Sequence, residues 1–252
     1  MTKKFMLLYA TITVILVGCF STKQNTTAIQ RLPAKFDFAP PSRAAAGAAN
    51  LTIALIKPRF IGENSEYFVP PFNEMALAMS NDFEELLSAK GFTMRGPFGS
   101  RDEMVYNDKV NSSFAIEINI DLNPQYNRKY KENTTFGSIL SSQLGKNYTL
   151  TGEVTLGGNL VITASSPQYG EKIWKKNIAL DRKTFTYVGS VKWSEIPSMA
   201  DELKQDNEVY NTLSRELEKY YSQALNLAWQ QIDVTEMRNV ATEAKKADKR
   251  GN

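Results

Sequence analysis

A single cysteine and a complete lack of histidine restrict this chain more than any other feature of its sequence. Cys19 is the only cysteine among 252 residues, which excludes an internal disulfide and any Cys-cluster metal site. Without histidine, the chain lacks Ser-His-Asp and Cys-His catalysis, His-ligated metals and haem, and a histidine pH switch. Apolar residues make up 42% of the chain, enough to bury a sizeable core. The sequence therefore predicts a globular fold held by that core.

The charge balance argues against a nucleic-acid partner. The formal net charge is +3, and it falls to +1 without Lys3 and Lys4, which belong to the leader described next. A nearly neutral protein lacks the basic surface that nucleic-acid binding requires.

The first nineteen residues read as a lipoprotein leader. Met1–Lys4 is positively charged, and the 13 residues from Phe5 to Val17 carry no charge. As a helix this apolar run would be about 20 Å long, short for a hydrocarbon core of about 30 Å and typical of a secretory signal. It leads into Leu-Val-Gly-Cys, which ends at Cys19 and resembles the bacterial lipobox.

That resemblance implies a lipid anchor on Cys19. The thiol would receive a diacylglyceryl group, cleavage would follow Gly18, and the new amine would accept a further acyl chain such as palmitate. Two or more chains anchor a protein stably in a membrane. Phe20 stands where an aspartate would favour retention in the inner membrane, so we expect the outer membrane. The alternative is an uncleaved signal anchor with an incidental cysteine.

Four regions follow from composition. Residues 1–18 are the signal peptide, and residues 19–50 are a lipidated N-terminus and tether rich in polar residues, proline and alanine. Residues 51–232 form a single domain, and residues 233–252 are a charged C-terminal extension, expected to be solvated and fraying. Within the tether, Lys35–Phe38 alternates and could add an edge strand.

The domain opens with a β-α-β pattern. Leu51–Ile56 reads as a buried strand, and Phe92–Met94 as a second, short one. Between them, apolar residues at three- and four-residue steps predict a helix that starts near an N-cap at Asn73 and ends before Gly91. The helical crossover allows the two strands to lie parallel.

The rest of the domain predicts a meander and a long helix. Residues 113–122 alternate as a strand with one buried face. Two further strands flank a turn at Gly157-Gly158, and Lys172–Leu180 continues the sheet. A helix from about Glu202 to Ile232 comes last. We expect an α+β fold, with a mostly antiparallel mixed sheet, a β-α-β opening and two long helices packed on it.

A polar connection of about 24 residues, from Asn123 to Lys146, is the candidate binding site. Loops of this length are usually functional or disordered. Aromatic rings alternate with cations here, a pattern suited to an acidic glycan because Tyr faces stack on sugars and Arg pairs with carboxylates. The candidate ligand-binding residues are Tyr126, Arg128, Lys129, Tyr130 and Lys131. The alternative is a solvated basic loop.

Catalysis finds little support in the sequence. Paired carboxylates for glycoside hydrolysis are available among 27 acids, but no pair stands out. Gly96–Ser100 lacks the Gly-Lys-Ser/Thr ending of a phosphate loop. We therefore expect a protein that is not an enzyme and that holds no cofactor and no metal.

Several segments together resemble the neuraminyllactose-binding hemagglutinin lipoproteins of gastric helicobacters, also called flagellar sheath adhesins. The resemblance spans roughly residues 10–250. It rests on the lipobox at Cys19, on Leu55–Phe60, on Leu87–Phe92 and on the long charged C-terminal helix. The order and spacing of these segments indicate a paralogue of the founding adhesin.

The resemblance implies an outer-membrane or flagellar-sheath location, a role in virulence and binding of sialylated glycans. In that family a short basic peptide is the proposed binding motif, and Asn127–Lys131 shares its basic character. The leading hypothesis is an adhesin. The alternative is a non-catalytic structural or assembly lipoprotein that faces the periplasm and binds envelope proteins.

Overall fold

The computed structural model describes residues 29–132, 146–193 and 197–250. Every element named below lies in one unit that begins at Arg31. The strands are β1 (Thr52–Phe60), β2 (Thr93–Phe98), β3 (Phe114–Leu122), β4 (Gln125–Glu132), β5 (Lys146–Ser165) and β6 (Lys172–Trp193). The α-helices are α1 (Phe72–Ala89), α2 (Tyr106–Val110), α3 (Met199–Gln205), α4 (Asn207–Gln231) and α5 (Val234–Arg250). Among these described helices, none has the length and apolarity needed to cross a membrane.

The strands form one mixed sheet, which confirms the predicted α+β class. Its order is β2-β1-β3-β5-β4, and β6 also pairs with β5. β1 is parallel to β2 and β3, and the remaining pairs are antiparallel. β3 and β4 follow one another along the same edge of β5, while β6 runs along the opposite edge. The long β5–β6 hairpin is therefore the central part of the sheet, because β5 pairs with β3, β4 and β6.

The β-α-β opening is confirmed, and its helix buries the predicted stripe. Met75, Met79 and Phe83 are fully buried on α1. Gly91 follows the helix with a φ of +88°, a conformation that glycine adopts without strain. The predicted N-cap is wrong, because α1 begins at Phe72 and Asn73 lies inside its first turn.

The Gly157-Gly158 pair is not a turn, contrary to prediction. β5 runs straight through it, and the register shifts there against β6. A Cβ on Gly158 would lie 1.9 Å from the carbonyl oxygen of Asp121, so β3 can approach β5 only if residue 158 has no side chain. The glycines thus mark a bulge at the point where β3 ends and β4 takes over.

The C-terminal region differs from the prediction in two ways. The expected helix over 202–232 is two helices, because Asp206 interrupts it and accepts hydrogen bonds from the backbone N–H groups of Glu208 (2.8 Å) and Val209 (3.1 Å). The expected fraying end is wrong over 234–250, where α5 forms instead. Its inner face buries Met237, Val240, Ala244 and Ala247. In the part of the chain that the structure describes, three long helices therefore pack on the sheet, where two were predicted.

The predicted tether is shorter than 19–50, because the chain lies on the domain from Arg31 onward. Phe38 and Ala49 are buried in the main core. The guanidinium of Arg31 lies 3.9 Å from the ring centre of Tyr210, and the backbone N–H of Lys35 donates to Glu218 (2.7 Å). The edge strand expected at Lys35–Phe38 does not form, and this segment has no regular secondary structure.

The two faces of the sheet are covered unequally. One face packs against α1, α4 and α5 and forms the main core. On the opposite face lies a smaller cluster of Ala54, Ile56, Met104 and Ala115. The alternation of β1 explains the division, since Ile53 and Leu55 point into the main core and Ala54 and Ile56 point away from it.

Candidate functional site

The predicted binding residues lie on a strand and not in a loop. β4 occupies Gln125–Glu132 and pairs with Tyr148–Thr155 of β5, so the first part of the predicted loop is sheet. The remainder, residues 133–145, lies outside the described residues, as does the lipidation site predicted at Cys19. Basic and aromatic residues alternate in this stretch because it is a strand with one face covered by the protein and the other exposed.

The strand divides the predicted cluster between its two faces. Tyr126, Arg128 and Tyr130 are half-buried on the side of α3, whereas Lys129 and Lys131 are exposed. Side chains at successive positions of a strand point to opposite faces. The structure therefore brings three of the five residues together and separates the two lysines from them.

Arg128 is held by a buried carboxylate. Its Nη1 donates to Oε1 of Glu202 (2.8 Å) on α3, and to the carbonyl oxygen of Pro197 (3.0 Å). Glu202 has no exposed side-chain surface, and Arg128 keeps 25%. Burial alone would lower the pKa of Arg128, but the negative charge of Glu202 raises it overall. The guanidinium is therefore permanently charged and already paired.

Two tyrosines also hydrogen-bond to this carboxylate. The hydroxyl of Tyr130 donates to Oε1 of Glu202 (2.6 Å), and that of Tyr187 donates to Oε2 (3.2 Å). Burial raises the pKa of both hydroxyls, and the charge of Glu202 raises it further. Both tyrosines thus remain protonated donors. This network attaches α3 to β4 and β6.

A different site combines volume with free positive charge. A cleft of about 700 Å³ lies between α5, the end of α2 and the segment that leads into β1. Four cations line it: Lys109 from α2 and Arg238, Lys245 and Lys249 from α5. We call it the basic cleft.

The sequence of α5 builds one wall of the basic cleft. Arg238, Lys245 and Lys249 recur at helical spacing on the face opposite the buried stripe of Met237, Val240, Ala244 and Ala247. Two of the four residues in that stripe are alanines. Small apolar side chains give only a weak periodic hydrophobic pattern in a segment that is otherwise charged. Sequence reasoning missed the helix for this reason, and with it the cleft.

The electrostatics of the basic cleft differ from those around Arg128. In the described part of the chain, none of its four cations belongs to an ion pair. Among the lining residues that the structure describes, Asp248 is the one acid. Its Oδ1 is buried without a hydrogen-bond partner, and so is Oγ of Ser112 on the opposite wall. The cleft therefore presents cationic donors, and two oxygens without hydrogen-bond partners lie buried in its walls.

A smaller cavity of about 160 Å³ opens beside Arg59, Arg101 and Lys172. Here the arginines are engaged: Arg59 pairs with Glu117, and Arg101 donates to the carbonyl oxygen of Gln168 (2.8 Å). Its free charge is lower than that of the basic cleft. Within the described residues, no group of three His, Cys, Asp or Glu side chains is arranged to hold a metal ion.

Comparison with known proteins gives a fold relationship and no family. No family model matches the chain, and no curated protein matches its sequence. Among solved structures, the chain is similar to a neuraminyllactose-binding hemagglutinin homolog from Helicobacter pylori, with a TM-score of 0.55 and 11% identity. The match covers 82% of this chain and 98% of that one. At this identity, the similarity establishes a shared fold.

Two lipoproteins match less well. A lipoprotein from Neisseria meningitidis gives a TM-score of 0.24 at 11% identity, covering 66% of this chain and 99% of that one. A minor lipoprotein from Acinetobacter baumannii gives 0.20 at 11% identity, covering 69% and 90%. These scores are too low to support an argument about this chain.

Proposed function

We propose that this protein is a lipid-anchored protein of the outer membrane that acts as an adhesin for sialylated glycans. The observation that carries the proposal is the fold match, which extends over 98% of the hemagglutinin homolog. A leader that ends at the only cysteine of the chain supports the anchor. Location in a flagellar sheath is a further part of the same proposal.

The site chemistry supports binding without catalysis. Glycoside hydrolysis uses two carboxylic acids about 5–10 Å apart. The basic cleft is lined by four cations and one acid, Asp248. Such a lining attracts an anionic ligand and, within the described ranges of the chain, offers no second carboxylate to attack it or to activate water.

The adhesin is tested with the full lipidated chain displayed on neutral vesicles. We expect the vesicles to bind beads coated with sialylated glycans, and to lose that binding when the beads are treated with sialidase, because the proposed ligand carries the removed carboxylate. Vesicles without protein serve as the control. Equal binding to treated and untreated beads would contradict the proposal.

A second candidate is a structural or assembly lipoprotein that faces the periplasm. The position of Arg128 favours it, since Glu202 occupies the guanidinium that the adhesin hypothesis assigned to a sialic-acid carboxylate. Protease treatment of intact cells separates the two candidates. An adhesin is degraded on living cells, whereas a periplasmic protein survives until the cells are lysed.

A further inference from the structure

We infer that the basic cleft is the place where a carboxylated sugar binds, an inference that rests on the proposed adhesin function and gives it a site. The cleft lies between α5 and α2, and its cations are Lys109, Arg238, Lys245 and Lys249. The candidate residues of β4 are not part of it.

The unpaired cations argue for an anionic ligand. Ion pairs elsewhere on the domain are formed, as between Arg95 and Asp108 (2.7 Å) and between Lys246 and Glu243 (2.7 Å). Lysines near a helix C-terminus also offset the helix dipole, but Arg238 lies in the second turn of α5, where the dipole does not favour a cation. The helix dipole therefore accounts for Lys249 but not for Arg238.

The two unsatisfied oxygens argue for a ligand that also carries hydroxyl groups. Oδ1 of Asp248 accepts hydrogen bonds and repels anions, so it fits a sugar hydroxyl and not a phosphate or a second carboxylate. Oγ of Ser112 is buried and lacks a partner in the same cleft. A buried polar group without a partner is destabilising, and a rotation that turns either side chain into the cleft would let a ligand hydroxyl satisfy it.

Apolar surface beside the charges suits the carbon face of a sugar. Ala49, Leu51, Val110 and Ala241 also line the cleft. A sugar acid thus finds cations, hydrogen-bond acceptors and apolar contacts within one cavity of about 700 Å³.

A pair of matched double variants tests the site. Lys245→Ala with Lys249→Ala removes two cations from the cleft, and Lys129→Ala with Lys131→Ala removes two from the exposed face of β4. Both change the net charge equally, and alanine preserves a helix such as α5. Titration of the full chain in neutral detergent with 3′-sialyllactose should give about a tenfold weaker Kd for the first variant and less than a twofold change for the second.

Further variants and ligands distinguish a wrong site from a wrong function. Lys245→Arg with Lys249→Arg should retain binding because it keeps both charges, and far-ultraviolet circular dichroism checks that every variant is folded. Lactose should not bind, and excess inorganic phosphate should compete only weakly. If the wild type binds 3′-sialyllactose and only the β4 variant loses that binding, the assignment of the site to the basic cleft is wrong, but the adhesin function is retained.

Two other outcomes overturn the inference for different reasons. Equal competition by phosphate and by 3′-sialyllactose would identify a general anion site and not a sugar site. A wild type that binds no 3′-sialyllactose would contradict the adhesin itself, together with the site assigned to it.

Discussion

At the scale of single residues, the most consequential contact joins Arg128 to Glu202. A fully buried carboxylate is costly unless it is paired and hydrogen-bonded. Glu202 meets that condition through Arg128, Tyr130 and Tyr187, which come from two strands that flank β5. Residues that resemble a carbohydrate site in the sequence thus serve to hold α3 in place.

This role predicts the effect of removing the cation. Arg128→Ala should lower the free energy of unfolding by about 3 kcal/mol, because it leaves a buried charge without its partner. Urea unfolding followed by circular dichroism measures the change. Adding Glu202→Gln to Arg128→Ala should recover part of the loss, since the amide is uncharged, its oxygen accepts from one tyrosine hydroxyl and its NH2 donates to the other.

The control for that experiment is Lys129→Ala, which removes a neighbouring cation that faces solvent. Its expected effect is below about 0.5 kcal/mol. An Arg128→Ala protein as stable as Lys129→Ala would show that the ion pair with Glu202 contributes little to the fold.

At the scale of elements, α5 shows how a highly charged segment can still be structural. Its buried residues recur at helical steps, although two of them are alanines with only a methyl side chain: Met237, Val240, Ala244 and Ala247. Small side chains let a helix approach a sheet closely, and α5 contacts β3 and β6. The basic cleft exists because the other face of this closely packed helix is left open.

The packing of α5 predicts a position-dependent response. Ala244→Gln should destabilise the protein by about 2 kcal/mol or more, because it forces a larger polar side chain into a filled site. Lys246→Gln introduces the same residue on the exposed side of the helix and should cost less than about 0.5 kcal/mol. Thermal unfolding compares the two. Similar melting temperatures would mean that this helix is not packed as described.

At the scale of the whole molecule, a lipid on Cys19 would confine the domain to a membrane surface. Wild-type protein made in a lipoprotein-processing bacterium should incorporate labelled palmitate and lose its leader, while Cys19→Ala should do neither. Ser21→Ala, two residues away, should behave as the wild type. Labelling and intact mass measure both steps. An unlabelled wild type that retains residues 1–18 would identify an uncleaved signal anchor instead.

The predictability of the elements depended on how strongly their residues were patterned. The alternation over 114–122 and the apolar stripe of α1 identified β3 and α1, because each buries one whole face of large side chains. Gly157-Gly158 was misread as a turn, since a bulge and a turn both require glycine and differ only in what lies opposite. Asp206 was likewise unrecognised as a cap inside an apparently continuous helix.

The candidate site was harder to predict, because its parts are distant in the chain. Lys109 and Lys245 share a cleft although more than a hundred residues separate them, and Arg128 pairs with Glu202, which lies 74 residues further along the chain. Local sequence patterns report which side of an element is apolar. They carry no information about which charged side chains from other elements will be nearby.

Sequence alone thus determined the α+β class, the parallel opening and the exclusion of histidine and disulfide chemistry, and it predicts the lipoprotein leader. These follow from composition and from periodicity, which act within a single segment. Tertiary structure alone decided that Arg128 is paired, while Arg238, Lys245 and Lys249 have no ion-pair partner among the described residues. The reason is that the availability of a charge for a ligand depends on the carboxylates that folding places beside it.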